Sequence, residues 1–207
     1  MPVSKKRKPK PKSRPAPASV SGRSQHEGLD REIVLGAPVD LVKRIKIYRR
    51  YVRALGKVGV TFRDIDRPDI LTVTAMVREH ITGVPDFDMS EEEGGAVAIG
   101  PDGEVIGSVV IGGATFQRGK VAFLRNIVVL PEWRGRGVAT VLLNLIPAIF
   151  PADLIVGNCA ASAAPLYANS GFTVLQPGVP LPFDVGARPH SIGFDNDVYP
   201  CGIYREL

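Results

Sequence analysis

The sequence predicts an α/β (α+β-type) fold in which a mixed sheet carries helices on both faces. The chain has 207 residues, which is enough for one domain with a substantial core and too few for two domains that each have such a core. From residue 58 onward, hydrophobic periodicity gives the order strand, helix, three strands, helix, strand, helix, two strands. Three successive strands without intervening helices exclude a regular doubly wound sheet.

Spacing and turn chemistry define each predicted element. Apolar residues at helical spacing after Asp69 predict one helix, and Pro101-Asp102-Gly103 between two apolar runs predicts a hairpin. The run 121–130 is the most continuously apolar, so we place it centrally in the sheet, and we expect Pro147 to end or kink the next helix. In order, the elements are strand 60–65, helix 69–81, strands 94–100, 104–114 and 121–130, helix 138–150, strand 153–158, helix 162–170 and strands 172–176 and 201–206, with connections at 83–93 and 177–200.

The positive charge of the chain is confined to its first quarter. The net charge is +5, but residues 1–25 carry eight bases and no acid, and residues 26–57 carry eight bases and four acids. Residues 58–207 carry ten bases and seventeen acids, so the predicted domain is acidic. Contacts with nucleic acid or another acidic partner would therefore come from residues 1–57.

Two N-terminal segments precede the predicted domain at 58–207. Residues 1–25 are rich in Lys, Pro and Ser and have too little apolar surface to fold. We expect a disordered basic tail, which either keeps the chain soluble or tethers it to nucleic acid. Residues 26–57 are predicted to form a basic helical extension with an amphipathic helix over 38–57. Its buried stripe is predicted at Val39, Val42, Ile45, Tyr48 or Arg49, Val52 and Leu55.

Several classes of protein are disfavoured by the composition. No apolar run approaches the roughly 20 residues of a membrane span, and the basic amino terminus is not followed by the apolar region of a secretory signal. Cys159 and Cys201 are too few for a disulfide framework and lack zinc-ligand spacing. We therefore expect ordinary thiols, no metal, no membrane contact and a cytoplasmic location.

A glycine-containing loop joins the central strand to the following helix. The segment RGRGVAT, residues 134–140, runs from this loop into the helix. Gly135 and Gly137 remove side chains where a ligand would meet the backbone, and the first helical N–H groups lack intrahelical acceptors. The spacing is neither that of a P-loop nor that of a dinucleotide fingerprint. The predicted phosphate site comprises Arg134, Gly135, Arg136, Gly137, Val138, Ala139 and Thr140.

Two motifs in this order resemble the Gcn5-related N-acetyltransferase (GNAT) superfamily. The acetyl-CoA signature of that family, Arg/Gln-x-x-Gly-x-Gly/Ala, is matched by Arg134, Gly137 and Ala139. Its second signature, Leu/Phe-Tyr-x-x-x-Gly-Phe, is matched by Leu166, Tyr167, Gly171 and Phe172. The resemblance covers about residues 60–207.

The resemblance implies a mixed, mostly antiparallel sheet that splays between its fourth and fifth strands, here 121–130 and 153–158. The slot between them is implied to hold the pantetheine arm of acetyl-CoA, with one backbone N–H polarising the thioester carbonyl. The backbone groups implied to pair with the arm are those of Ile127, Val128 and Val129. Many members of the family also form homodimers through their last strands.

The resemblance places Tyr167 at the position of the family's general acid, which protonates the departing CoA thiolate. A phenol near the sulfur can donate a proton as charge develops. Many members have an Asn seven residues before this Tyr; here that position is Ala160, and Asn158, two positions away, is the cofactor-binding candidate in its place. Many also carry a Glu on the fourth strand, where this chain has only Arg125 and Asn126 as polar residues. The base is therefore unassigned, with candidates at Asp86, Asp88, Glu91, Glu92, Glu93, Asp184, His190, Asp195 and Asp197.

The function implied is direct acetyl transfer from acetyl-CoA to a primary amine, without a metal or a covalent enzyme intermediate. The acidic domain suits a cationic acceptor, and small amines, polyamines, aminoglycoside-like compounds and peptide amines all remain open. One alternative is a toxin-like GNAT enzyme that acetylates aminoacyl-tRNA, with residues 1–57 binding the RNA. The other is a non-catalytic CoA-binding or tethering module, which the missing strand-four carboxylate motivates.

Overall fold

A central sheet of eight strands organises the computed structural model, which describes residues 33–116, 119–182 and 197–207. The strands are β1 Val34–Gly36, β2 Thr61–Asp64, β3 Gly94–Ile99, β4 Val105–Phe116, β5 Gly119–Val129, β6 Leu154–Cys159, β7 Thr173–Pro177 and β8 Cys201–Glu206. The helices are α1 Leu41–Lys57, α2 Asp69–His80, α3 Val138–Ile149 and α4 Ala164–Asn169. Short 3-10 turns, Pro131–Trp133 and Ala161–Ala163, lead into α3 and α4.

The strand order across the sheet is β1-β7-β8-β6-β5-β4-β3-β2. Only β5 and β6 pair in parallel, and all other neighbours are antiparallel. The predicted mixed sheet with helices on both faces is confirmed. The sequence patterns did not reveal β1, because three residues are too few for a periodic signal and the strand depends on pairing with β7. Helix α3 also continues two residues past Pro147, instead of ending there.

The strands β5 and β6 separate part-way along their length. Their parallel pairing ends at Phe123 opposite Val156, although both strands continue beyond these residues. A β-bulge lies at the point of separation, because Leu124 and Asn126 pair with adjacent residues of β4 and leave Arg125 as an extra residue. A bulge bends its strand and increases the local twist. The splay implied by the family resemblance is therefore present and has a local cause.

The two faces of the sheet are covered by different helices. Helices α1, α3 and α4 pack on one face, in a core that includes Leu55, Leu142 and Phe172. Helix α2 packs on the opposite face through a second core, in which Val77 meets Val110. The second core lies over β3, β4 and β5, so the splay between β5 and β6 lies at the edge of the region that α2 covers.

Helix α1 matches the predicted helix, but the predicted buried stripe is only partly correct. Val42, Ile45 and Val52 are 61%, 39% and 36% exposed, and within this stripe only Leu55 is fully buried. Apolar residues recur on both sides of this helix, so its periodicity could not decide which side packs. Contact with α3 selects the other side. The buried or half-buried residues of α1 are Arg44, Ile47, Tyr48, Tyr51 and Leu55.

Two predictions from composition concern the membrane and the cysteines. Within the described ranges, no helix has both the length and the apolar character needed to cross a bilayer. Cys159 and Cys201 lie opposite each other on β6 and β8, and both are buried free thiols.

Asp69 ties the start of α2 to β2. Arg63 donates to both of its carboxylate oxygens, at 2.5 and 2.9 Å, and the backbone N–H of Asp66 donates at 2.8 Å. The hydrogen bond from Arg63 is the main cause that lowers the pKa of Asp69, against the opposing effect of burial. These contacts fix the first turn of α2, and therefore the place at which its last residue, His80, meets the sheet.

We expect Asp69→Asn to lower the unfolding free energy by about 1–2 kcal/mol at neutral pH, because a charge-assisted pair is lost beside a half-exposed arginine. The folded-state pKa of Asp69 lies below its unfolded value of about 3.9, so its contribution is complete above that pH and disappears as the pH falls through the folded pKa. Urea unfolding at several pH values measures this. Asp66→Asn, at an exposed carboxylate, is the control. A deficit in Asp69→Asn that persists unchanged at the lowest pH contradicts the assignment.

Candidate active site

Two cavities adjoin along the free edge of β5. The smaller, about 390 Å³, lies against the loop that precedes α3, and the larger, about 460 Å³, lies between the end of α2 and the splayed strands. Val129 lines the smaller cavity and Ile127 lines the larger. Residues at positions i and i+2 of a strand are only about 7 Å apart. Leu166 of α4 lines both. The two cavities are therefore neighbours on one path beside the strand.

The smaller cavity meets the start of α3. Gly135 and Gly137 have φ angles of 72° and 92°, a left-handed conformation that glycine adopts without a steric penalty. The N–H of Val141 donates to the carbonyl of Gly137 at 3.1 Å, so the N–H groups of the first turn have no acceptor within the helix. Together with the helix dipole, these donors suit a phosphate. The residues of that turn that line the cavity are Val138, Ala139 and Thr140.

The two arginines of the loop take different positions. Arg134 lines the smaller cavity, and its Nε donates to the carbonyl of Val129 at 3.0 Å. This contact ties the loop to the end of β5. Arg136 stacks over the ring of Trp133, with its guanidinium carbon 4.9 Å from the ring centroid, and does not line the cavity. Of the two predicted arginines, only Arg134 is placed to contact a ligand there directly.

Helix α1 supplies part of the same cavity, which the sequence patterns did not reveal. Ile47 and Tyr51 line it beside the loop. The ring of Tyr51 packs on Gly137 so closely that a Cβ at position 137 would overlap the ring carbons. The helical spacing of Ile47 and Tyr51 is legible in the sequence, but the crossing of α1 over the glycine loop is a tertiary contact with no local signal.

Alternation along β5 decides which backbone groups face the splay. The N–H of Leu130 donates to the carbonyl of Ile106 in β4 at 3.0 Å. In an antiparallel pair the direction alternates, so Val128 also faces β4, whereas Ile127 and Val129 face the opening toward β6. Two of the three predicted backbone positions therefore direct their N–H and C=O to the path between the cavities, where the C=O of Val129 already accepts from Arg134, and Val128 does not.

Tyr167 lies on α4 at the wall of the larger cavity and is 5% exposed. Its ring meets the edge of Phe172 at a centroid distance of 5.7 Å, and Gly171, at φ 86°, turns the chain between them. Burial is the main cause that raises the pKa of Tyr167, and the neighbouring Cys159 and Tyr199 add to it. The phenol is therefore protonated at neutral pH and is available as a hydrogen-bond donor.

Arg205 of β8 holds the end of α4 in place. It is 4% exposed, and its Nη1 donates to the carbonyl of Ser170, directly after α4, at 3.0 Å. Its guanidinium carbon also lies 5.5 Å from the ring centroid of Phe172. Burial lowers the pKa of Arg205 to about 10, with a further contribution from Arg44, so the side chain remains charged at neutral pH. The last strand thus positions the helix that carries Tyr167.

Polar groups from several elements line the larger cavity. His80 ends α2 with its side chain 18% exposed, and Asn126 follows the bulge in β5. The Nδ2 of Asn158 donates to the carbonyl of Tyr199 at 3.3 Å, and the hydroxyl of Tyr199 donates to the carbonyl of Thr82 at 2.7 Å. Tyr199 thus connects β6 with the segment that follows α2, and it closes one side of the cavity.

The carboxylates proposed as bases do not line this cavity in the described part of the chain. Asp86, Asp88, Glu91, Glu92 and Asp197 are exposed. Glu93 is mostly buried, with its Oε1 2.8 Å from Nη1 of Arg125, which does line the cavity. Asp184, His190 and Asp195 lie outside the described residues. The structure instead brings His80, the last residue of α2, to the cavity. Helical periodicity predicted that His80 lies in this helix, but it could not show that the helix ends at the cavity.

Cys159 also lines the larger cavity, beside Tyr167. Burial, with a smaller effect of Cys201, raises the pKa of Cys159 to about 12. The group is therefore a thiol and not the thiolate that nucleophilic catalysis requires. Among the described residues, no three His, Cys, Asp or Glu side chains are grouped as they would be to hold a metal ion.

Comparisons with known proteins agree with this geometry. Residues 66–172, more than half of the chain, match the model of the Acetyltransferase (GNAT) family. A GNAT-family acetyltransferase from Staphylococcus aureus Mu50 is 14% identical over 72% of this chain and 99% of that one, with a TM-score of 0.51. The "histone acetyltransferase HPA2 and related acetyltransferase" from Corynebacterium glutamicum ATCC 13032 is 18% identical over 71% and 96%, also with a TM-score of 0.51.

A third solved structure is the glucosamine N-acetyltransferase region of a fungal multi-domain GH3 beta-N-acetylglucosaminidase. It is 20% identical over 56% of this chain, with a TM-score of 0.47, and the chain spans only 17% of that protein. A comparison with curated proteins gave no match. The matched residues 66–172 contain the splayed strands, the glycine loop and Tyr167. The chain therefore belongs to the acetyltransferase (GNAT) family, the Gcn5-related N-acetyltransferases.

Proposed function

We propose that the protein transfers the acetyl group of acetyl-CoA directly to a primary amine. One observation carries this proposal: phosphate-binding geometry and a buried phenol lie at the two ends of one free strand edge. Coenzyme A has its diphosphate and its sulfur at the two ends of an arm that contains two amides. Such an arm can pair with an exposed strand edge as an added strand does. The backbone groups of Ile127 and Val129 are oriented for that pairing.

In this arrangement the diphosphate accepts hydrogen bonds from the first turn of α3, and Arg134 adds positive charge. The pantetheine arm follows β5 from Val129 to Ile127, which brings the thioester to the larger cavity. A backbone N–H of the β5 edge donates to the thioester carbonyl and stabilises the negative charge that develops on its oxygen. The splay is required for this, because a fully paired β6 would occupy the same donors.

The reaction then proceeds by attack of the neutral amine on the carbonyl carbon. The tetrahedral intermediate collapses by breaking the C–S bond, and the electron pair goes to the sulfur. Tyr167 donates a hydrogen bond, and then its proton, to that sulfur, because burial has kept the phenol protonated. The attacking nitrogen loses one proton as the amide forms, and a proton returns through solvent to the phenolate of Tyr167, so one amine and one acetyl-CoA give one amide and one CoA thiol. A direct transfer agrees with Cys159, the thiol beside the reaction path, being held protonated.

His80 is the group that we propose to accept the proton of the amine. It lines the cavity on the α2 side, across from the strand that would hold the thioester. The described lining contains no carboxylate side chain, so attraction of a cationic acceptor would come from the overall negative charge of residues 58–207 acting at longer range. Arg125, the charged side chain of the bulge, is compensated by Glu93 at 2.8 Å.

The first prediction concerns Tyr167. In an assay with acetyl-CoA and a panel of primary amines, followed by the release of free CoA, we expect Tyr167→Phe to lower kcat by about 100-fold or more. The KM for acetyl-CoA should change little, because the phenol acts mainly as charge develops on sulfur. Tyr204→Phe is the matched control, since Tyr204 is also buried but lines neither cavity. If acetyl-CoA binds but no amine supports CoA release, the proposed reaction is wrong.

The second prediction concerns His80. We expect His80→Asn to lower kcat at neutral pH by about 100-fold, with the KM for acetyl-CoA unchanged. A base is needed only while the amine is protonated, so the deficit should shrink as the pH rises toward the pKa of the acceptor itself. Steady-state rates from pH 6 to about pH 10 test this. A deficit that is constant across that range would assign His80 a structural role and leave the base elsewhere.

The third prediction concerns the glycines of the loop. Both have positive φ, so an alanine at either costs about 1–2 kcal/mol. A Cβ at Gly135 meets no atom within 4 Å, so Gly135→Ala should lower Tm by only a few degrees, about 2–4 °C per kcal/mol. Gly137→Ala must also displace the ring of Tyr51, so we expect a larger loss of Tm and weaker acetyl-CoA binding. Equal effects of the two substitutions would contradict the packing of Tyr51 on this loop.

A further inference from the structure

Helix α1 lies before the residues that match the family model, yet it forms part of the smaller cavity. The match begins at residue 66, whereas α1 ends at Lys57. Ile47 and Tyr51 of α1 nevertheless line the cavity together with the glycine loop, α3 and α4. A helix outside the matched residues thus forms one wall of the site proposed for the coenzyme.

A guanidinium group is held close to this wall. The ring of Tyr51 packs directly on Gly137, and the guanidinium carbon of Arg50 lies 5.7 Å from the centroid of the same ring. At that distance, a cation over an aromatic ring is attracted by the ring electrons. One aromatic ring therefore separates the loop glycine from a positive charge, and this charge is additional to that of Arg134.

Helical geometry places a second base on the same side of α1. Successive residues of an α-helix are 100° apart, so residues at spacings of 4 and 7 share a side. Lys43 precedes Ile47 by four residues, and Arg50 follows Ile47 by three, so Lys43 and Arg50 flank the cavity-lining side chain. Arg49 and Arg53 lie about 160° from Tyr51 and face away from the cavity. All four bases are exposed.

We propose that α1 completes the coenzyme site and that Lys43 and Arg50 bind the 3′-phosphate of coenzyme A. This rests on the proposed function. The first turn of α3 accounts for the diphosphate, but coenzyme A carries a third phosphate on its ribose. With the pantetheine arm along β5, the ribose leaves the cavity beside α1 or α4. Helix α4 has no charged residue, whereas α1 has seven bases and no acid, so charge complementarity selects α1.

The test compares two ligands that differ only in the 3′-phosphate, CoA and 3′-dephospho-CoA. Their dissociation constants are measured by calorimetry at fixed ionic strength for three full-length proteins: wild type, Lys43→Gln/Arg50→Gln and the control Arg49→Gln/Arg53→Gln. Each double variant removes two positive charges from the same helix, so the change in net charge is matched. We expect Lys43→Gln/Arg50→Gln to weaken CoA binding by about 10- to 30-fold and 3′-dephospho-CoA binding by less than about 2-fold.

We expect the control variant to bind both ligands within about 2-fold of wild type, and the preference of wild type for CoA to decrease as salt is added. Equal weakening of both ligands, or the same loss in the control, would overturn the assignment of Lys43 and Arg50. If wild type binds CoA and 3′-dephospho-CoA equally well, the inference is wrong and the proposed function stands. If wild type binds neither, the proposed function fails first.

Discussion

The β-bulge at Arg125 is the constraint on which the rest of the site depends. One extra residue in β5 bends that strand away from β6 directly after their last paired residues. Without it, β6 would continue to pair, and the backbone groups of Ile127 and Val129 would be occupied within the sheet. The same residue supplies a charged wall to the larger cavity, balanced by Glu93. The opening of the strand pair and part of its lining therefore have a single origin.

Burial keeps three groups of the larger cavity neutral. It raises the pKa values of Tyr167, Tyr199 and Cys159, so all three hold their protons at neutral pH. The charge that appears during acetyl transfer would then be met by oriented N–H and O–H dipoles instead of by fixed ions. Such dipoles need little rearrangement at the moment of reaction, which is the usual basis of electrostatic stabilisation in enzymes. In the proposed arrangement the permanent charges would lie at the phosphates of coenzyme A and at the bulge.

The sequence carried enough information for the sheet, the glycine loop and the place of Tyr167, because strand and helix periods and short motifs are local properties. The sequence was insufficient where contacts between distant elements determine which residues are buried or line the site. Helix α1 has apolar residues on two sides, and only its contact with α3 selects Ile47 and Tyr51 over Ile45 and Val52. The sequence could not identify His80 as a cavity residue, because its position at the cavity depends on how α2 lies across the sheet. Strand β5 offers no residue for the base, and the residue proposed for that role, His80, comes from α2.

The contact of Tyr51 with Gly137 also bears on where the folded unit begins. A fragment cut at the family boundary, residue 66, would retain both motifs but lose α1, β1 and β2. The sheet edges would then be β7 and β3, which β1 and β2 now cover. Unpaired edges favour association between chains, and the glycine loop would face solvent where it now meets an aromatic ring. In this protein, the segment shared with the family begins later in the chain than the packed sheet does.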